Sequence, residues 1–251
     1  MPNLAVVRQL EAVGFRAWPA GSVHYDGTWA IRLTPAHPSK RLNSVNPLDP
    51  GDIRDIANRV GRAVEQFRAA GRAPCFRLSP LAPHALDAHL EALGWTRKEE
   101  TIVMTVNLTN GELSDAFDLD PIADIQRFAD TSVAIHGHAD TLRAGIVAVL
   151  DSIRLNKGMF VLQQEGRSVA STICVQDGAM AALFDVATLP DERRKGFGNK
   201  IVGSALKWAA NCGARTAWLQ IGADNVAGLK IYERFGFKEA YRYFYRESND
   251  K

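Results

Sequence analysis

Val186–Lys200, VATLPDERRKGFGNK, is the stretch on which the reading of this chain turns. A strand-like run ends at Thr188 and Pro190 stops it. A basic, glycine-containing loop, Arg193-Arg194-Lys195-Gly196-Phe197-Gly198-Asn199, then opens a segment whose apolar residues Ile201, Ala205, Trp208 and Cys212 recur at helical spacing. Glycines let the backbone curl so that successive N–H groups point into one hollow. A helix N-terminus adds the positive end of its dipole, and three cations sit on the same loop. Together these predict a pyrophosphate cradle between a strand and a helix. Other phosphate loops fit less well. The Walker pattern G-x-x-x-x-G-K-[ST] is absent, and Val202 stands where a dinucleotide fingerprint places its third glycine.

The flanks give the cradle a setting. Upstream, Pro121–Ala134 and Thr141–Arg154 read as helices. Phe160–Gln164, Ser168–Gln176 and Met180–Thr188 read as a strand meander, with turns at Gly166 and Asp177-Gly178. Downstream come a strand at Thr216–Ile221, a helix at Ala227–Arg234, and a final strand at Tyr241–Arg246 whose tyrosines and basic residues are expected to face an acceptor. Three segments repeat: LEAVGF at 10–15, LEALGW at 90–95 and YERFGF at 232–237. Each predicts a helix end, a glycine at positive φ and an aromatic residue opening a strand. Residues 52–70 predict a helix through Ile53, Ile56, Val60 and Val64, followed by a strand at Cys75–Leu78 and a helix at His84–Leu93. The C-terminal half repeats this order. The expectation is an α/β chain with mixed sheets in two tandem domains, 1–112 and 118–251. They would meet near the polar, turn-rich stretch Asn110–Asp120, which follows a strand ending at Val103–Leu108.

Composition removes several classes. The chain has 251 residues, 46% of them hydrophobic and 23% charged, so disorder and fibrous repeats do not describe it. Thirty Lys+Arg against 28 Asp+Glu leave a net charge of +2. That balance argues against nucleic acid or a membrane surface as the main partner. Three cysteines, Cys75, Cys174 and Cys212, without a C-x-x-C pair argue against a disulfide framework or a cysteine-rich zinc site. His136-Gly137-His138 has no third ligand nearby, so a polar loop is expected and no metal. No apolar run approaches the roughly 20 residues of a membrane span. Arg8 and Glu11 interrupt the N-terminal segment, so a soluble cytoplasmic protein is expected.

Arg193-x-x-Gly196-x-Gly198 resembles the acyl-CoA-binding pattern Q/R-x-x-G-x-G/A of the GNAT (Gcn5-related N-acetyltransferase) superfamily. It follows a strand, opens a helix and comes after two helices and a meander, as in that family. Asn225, Tyr232 and Gly236-Phe237 resemble the family's closing N-x-x-A…Y-x-x-x-G-F segment, so the resemblance covers about residues 118–247. It implies acetyl-CoA as co-substrate and direct attack by an amine in a ternary complex. Tyr232 would be the general acid at the leaving sulfur, and Asn225 would contact the cofactor arm. The loop Arg193–Asn199 would hold the pyrophosphate. The backbone of Val186, Ala187 and Thr188 would pair with the pantetheine amides. The general base stays open: Asp185 is one candidate, although strand alternation sets it on the face opposite Val186 unless a bulge intervenes. Glu165 and Glu192 are near in sequence, and a water chain needs no side chain. The His136–His138 loop falls where related proteins shape the acceptor pocket.

The N-terminal copy resembles the degenerate first domain of tandem GNAT proteins. Its loop position reads Ser39-Lys40-Arg41-Leu42-Asn43-Ser44-Val45-Asn46-Pro47 with no glycine, and Leu90 stands where Tyr232 does, so CoA is not expected there. Lys40, Arg41, Asn43 and Ser44 either line a substrate contact or build a structured loop. The acceptor would be a small-molecule or peptide amine, and the chain a monomer or homodimer. One alternative is a non-catalytic acyl-CoA-binding sensor or scaffold; another keeps the fold and takes a longer acyl-CoA or an aminoacyl-tRNA as donor.

Overall fold

The computed structural model describes residues 2–108 and 117–248. Most of the expected joining stretch, residues 109–116, lies outside the described residues. Helices and strands alternate in the order α1 (Leu4–Ala17), β1 (Ser22–Asp26), β2 (Trp29–Leu33), β3 (Ser44–Pro47), α2 (Ile56–Ala69), β4 (Cys75–Leu78), α3 (His84–Ala92) and β5 (Thr96–Asn107). There follow α4 (Ile125–His136), α5 (Arg143–Ser152), β6 (Asn156–Gln164), β7 (Arg167–Asp177), β8 (Met180–Thr188), α6 (Phe197–Asn211), β9 (Thr216–Gly222), α7 (Val226–Arg234) and β10 (Lys238–Glu247). The chain divides into two compact units. The first takes the residues up to Val103, Gly222–Asp224 and those from Ala240 on; the second takes Met104 to Ile221 and Asn225–Glu239.

In the first unit the strand order is β1-β2-β3-β4-β10-β5. Asn3 caps α1, its Oδ1 accepting from the N–H of Ala5 at 3.0 Å. The repeat LEAVGF predicts a helix end at Gly14, but α1 runs on to Ala17 with Gly14 buried inside it. Val7, Leu10, Val13 and Ala17 make one continuous buried stripe, and that burial outweighs glycine's weak helix propensity. The other two repeats behave as read: Gly94 has φ 77° and Gly236 φ 79°. The helix predicted from residue 52 begins only at Ile56, and Ile53 is exposed. Asp52 is already engaged there. Its carboxylate accepts from Thr28 N–H at 3.1 Å and Thr28 Oγ1 at 2.7 Å, and pairs with the Arg59 guanidinium at 3.0 Å. Burial alone pushes the Asp52 carboxyl up, but Arg59 and Thr28 outweigh it and hold it at about 2. The core is built on Trp29, Phe67, Phe76, Leu86, Leu90 and Trp95, with Phe76 edge-on to Trp29 at 5.8 Å and to Trp95 at 5.5 Å.

The tyrosines of β10, expected to face an acceptor, are buried in this unit instead. Tyr241 donates to Glu11 Oε1 at 2.7 Å, Glu11 Oε2 accepts from Arg77 at 2.5 Å, and the Arg77 guanidinium lies 3.7 Å from the Tyr243 ring centre. Asn43 serves its own loop: its side chain accepts from Thr34 N–H at 2.8 Å and donates to the carbonyls of His37 and Ser39 at 2.7 and 3.0 Å.

The second unit places β6, β7 and β8 in an antiparallel meander and β9 parallel to β8, in the order β9-β8-β7-β6. Helix α6 packs on β6, β7 and β8 through Ile201, Val202, Ala205 and Leu206, all buried. Phe184 meets Trp218 edge-on at 5.8 Å. Burial pushes the Cys174 thiol well up, which suits packing rather than nucleophilic work. Among the described residues no helix is long and apolar enough to cross a membrane.

Removing one partner of a buried ion pair leaves an uncompensated charge, at a cost of about 3–5 kcal/mol. Glu11→Ala, which strands Arg77, is therefore expected to lose that much in equilibrium urea unfolding. A loss well under 1 kcal/mol would show that the Glu11–Arg77–Tyr241 cluster is not what holds α1 down.

Candidate active site in the second unit

The site begins where two strands part. The parallel register of β8 and β9 runs from Met180↔Thr216 to Leu183↔Leu219, and no pairing between them continues beyond it among the described residues. On its other side β8 stays with β7 as far as Thr188↔Ala170. The ladder slips between Ser171 and Ile173, so that Asp185 and Val186 together oppose Thr172, and Asp185 takes φ 54°. This is a β-bulge, which bends its strand and sharpens the twist. Thr172 braces it by donating from Oγ1 to the Phe184 carbonyl at 3.0 Å. Beyond the bulge, Val186, Ala187 and Thr188 present an edge that no strand among the described residues covers on the β9 side. An unpaired edge is a template for an added extended chain. It lies at the carboxyl ends of two parallel strands, where α/β sheets bind ligands.

The loop after β8 supplies the other half. Gly196, at φ 87°, begins α6 with no side chain capping the exposed N–H groups. Gly198 is glycine for a different reason: a Cβ there would come within 2.9 Å of Ile231 Cδ1 and 3.6 Å of Thr188 Oγ1, so its absence lets the start of α6 lie against α7 and the end of β8. Arg193 donates from Nε to the Thr188 carbonyl at 3.4 Å. Arg194 is exposed at φ 64°, and Lys195 pairs with Glu192 at 2.9 Å. Phe197 is buried, and Asn199 keeps a buried Oδ1 that accepts no hydrogen bond among the described residues. A cleft of about 550 Å3 adjoins the loop, lined by Gln164, Glu165, Arg167, Glu192, Lys195 and Phe197. On α7, Asn225 is the N-cap, its Oδ1 accepting from Gly228 N–H at 2.9 Å. Tyr232 is buried with its ring edge-on to Phe237 at 5.7 Å. The loop, the free edge and α7 thus belong to one unit, with Gly198 the point where they touch.

The bulge also turns Asp185 toward α4. Ser132 and His136, four residues apart on one face of that helix, both reach it. Ser132 Oγ donates to Asp185 Oδ2 at 2.6 Å, and His136 Nε2 lies 2.9 Å from Oδ1. The His138 ring stacks on His136 at 5.1 Å and 4°. Burial pushes the Asp185 carboxyl up, but His136 and Ser132 outweigh it and hold it below its ordinary 3.8. For His136 burial pushes down and Asp185 pushes up more strongly, leaving the imidazole above 6.5. The sequence offered no link between His136 and Asp185; the pattern alone marks a polar loop and a strand carboxylate. Glu192 is committed to Lys195, and Glu165 sits at φ 52° in the β6–β7 turn. Among the described residues no group of three or more His, Cys, Asp or Glu is placed to hold a metal.

The family model described as "Probable histone acetyltransferase Rv0428c C-terminal" matches residues 4–246. The chain is 23% identical over 252 residues to "Uncharacterized N-acetyltransferase YobR" of Bacillus subtilis (strain 168), covering 96% of this chain and 98% of that one. The solved structure of a "GCN5-related N-acetyltransferase from Kribbella flavida" has a TM-score of 0.71 at 20% identity, covering 100% of this chain and 97% of its own. A "Tandem GNAT protein from the clavulanic acid biosynthesis pathway" has a TM-score of 0.62 at 14% identity, covering 96% and 87%.

Two stability measurements test this geometry. Gly196→Ala forces a Cβ into the left-handed region and is expected to cost about 1–2 kcal/mol. Gly61→Ala is the control: Gly61 is exposed inside α2 with nothing within 4 Å of an added Cβ, and the change is expected to add roughly 0.4–1 kcal/mol. The His136–Asp185 pair carries its own pH signature. The imidazole's raised pKa contributes stability fully below 6.5 and loses it as pH rises through the higher folded value. The carboxyl's lowered pKa contributes stability above 3.8 and loses it as pH falls through the lower folded value. The stability margin of wild type over Asp185→Asn is therefore expected to be widest near pH 5–6 and to narrow toward pH 8; a margin flat across that range would refute the pairing.

Proposed function

The chain belongs to the Rv0428c C-terminal acetyltransferase family, within the GNAT superfamily, and is an acyltransferase; from that premise we propose that its second unit moves an acetyl group from acetyl-CoA to an amine. One observation carries the proposal: β8 leaves β9 at Leu183 beside the uncapped start of α6. We assign the transferase to a domain of residues 118–251, of which Gly222–Asp224 and the residues from Ala240 on fall in the first compact unit, and a supporting role to a degenerate domain of residues 1–112. The absence of glycine between Ser39 and Pro47 supports the second assignment.

When bound, acetyl-CoA supplies an activated thioester whose sulfur can leave. The chain's own residues do the rest. The free edge of Val186–Thr188 pairs with the amides of the pantetheine arm as another strand would. The first N–H groups of α6, from Gly196 through Asn199, take the pyrophosphate, with Arg193, Arg194 and Lys195 countering its charge. Phe197, buried, anchors that first turn. Asn225 fixes the start of α7, and its NH2 is a donor for the cofactor arm. Tyr232, on the same helix, donates a hydrogen bond and then a proton to the leaving sulfur. Holding both reactants on one unit makes the attack effectively unimolecular. The nearly balanced charge supports a small-molecule or peptide amine as acceptor over a nucleic-acid-borne one.

Acetyl-CoA at about 100 times its Kd is expected to add about 2.7 kcal/mol, or roughly 5–10 °C in Tm. Gly196→Trp, folded by circular dichroism, is expected to lose that shift. Tyr232→Phe is expected to keep it while turnover falls roughly a hundredfold. A folded wild type with no shift would overturn the reading, and full turnover by Tyr232→Phe would remove Tyr232 from the chemistry.

A further inference from the structure

We propose that His136 is the group that takes the proton from the incoming amine and that Asp185 positions it. This rests on the acetyl-transfer reading above and goes beyond it in naming the proton acceptor. Asp185 occupies the bulge immediately before Val186, so whatever its carboxylate holds stands beside the edge offered to the donor. Both of its oxygens are occupied, one by Ser132 Oγ at 2.6 Å and one by His136 Nε2 at 2.9 Å. A carboxylate so engaged is a poor base but a good orienter. Gly137, at φ 67°, ends α4 directly after His136, and the His138 ring stacked on the imidazole fixes its plane.

The Asp185 contact sets the tautomer: Nε2 carries the hydrogen, and Nδ1 carries the lone pair. His136 keeps 25% of its side chain exposed, so the ring is not sealed from solvent. The titratable groups facing it are Asp185 from β8 and the stacked His138 from its own loop; no other charged group among the described residues acts on it. The step balances. An ammonium passes one proton to Nδ1, giving imidazolium while Nε2–H stays on Asp185. The freed nitrogen lone pair forms a bond to the thioester carbonyl carbon, the carbon–sulfur bond breaks with its electron pair going to sulfur, the sulfur takes the Tyr232 proton, and the second proton lost by nitrogen restores the Tyr232 hydroxyl. The imidazolium then returns its proton to water. Burial pushes the imidazole down but Asp185 lifts it above its ordinary value, which makes the neutral ring a stronger proton acceptor and suits this task.

The test uses the full chain, acetyl-CoA and three primary amines: an alanyl peptide with a free N-terminus, a lysyl peptide and spermidine. In wild type, kcat/KM for the best of these is expected to fall below a midpoint above pH 6.5. His136→Gln is expected to lower kcat about 10²–10³-fold and to lose that acid limb while acetyl-CoA affinity is unchanged. Asp185→Asn is expected to move the limb to lower pH, a change that a merely structural carboxylate would not cause. An NMR titration of the His136 ring in wild type and Asp185→Asn requires no acceptor and is expected to show the same downward move. His136→Gln with an intact rate and acid limb overturns the inference. So does a His136 ring that titrates at or below 6.5 and ignores Asp185→Asn. A wild type that binds no acetyl-CoA strikes instead at the reading beneath it.

Discussion

A strand cannot leave its neighbour without somewhere to put the bend, and in this chain that place is Asp185. Its φ of 54° and the two-against-one pairing with Thr172 turn β8 away from β9 after Leu183. The free edge of Val186–Thr188 exists because of that bend, and the loop that follows delivers Gly196 and the bare start of α6 to the same end of the sheet. The bulge also aims the Asp185 carboxylate at α4 rather than leaving it to strand alternation. On the proposed reading one backbone irregularity serves donor binding and acid–base geometry together, the kind of double use for which strained backbone is retained at working sites.

From its first three strands on, the first unit repeats the order of the second, β1-β2-β3-α2-β4-α3 against β6-β7-β8-α6-β9-α7, but spends its polar groups differently. Where the second unit keeps a glycine loop, Asn43 ties down a loop without glycine, and Ser44 and Asn46 are buried beside it. The Glu11–Arg77–Tyr241 cluster and the Asp52–Arg59 pair are satisfied inside the unit. Such groups hold a fold together; a phosphate needs backbone N–H groups left open, and in the other unit the start of α6 at Gly196 carries no side-chain cap while Gly198 lets that turn lie against α7 and β8.

Much of this was legible in the sequence. Helical and alternating periods are local, so α6, β8, β9 and α7 could be read where they fall, and the cradle loop follows from residue types alone. What the sequence hid was set by tertiary contacts. Gly14 and Gly94 sit in nearly the same words, yet only the second ends a helix, because Ala17 continues a buried stripe beyond the first. Ile53 has the right period for α2 but is cut off by Asp52's commitment to Thr28 and Arg59. The tyrosines 241, 243 and 245 share a face by alternation, but nothing local says that this face is buried. A bulge leaves no mark in side-chain pattern, and Ser132 meets Asp185 across 53 residues of chain, so the His136–Asp185 pair had no signal at all.

The central claim is that acetyl-CoA lies along the edge opened by the Asp185 bulge and ends on the first turn of α6. Amide hydrogen exchange with and without saturating acetyl-CoA tests it most directly, because it reads the backbone groups themselves. The account predicts slowed exchange at Val186–Thr188 and at Gly196–Asn199. Unchanged exchange in both segments, or protection confined to the first unit, would contradict it.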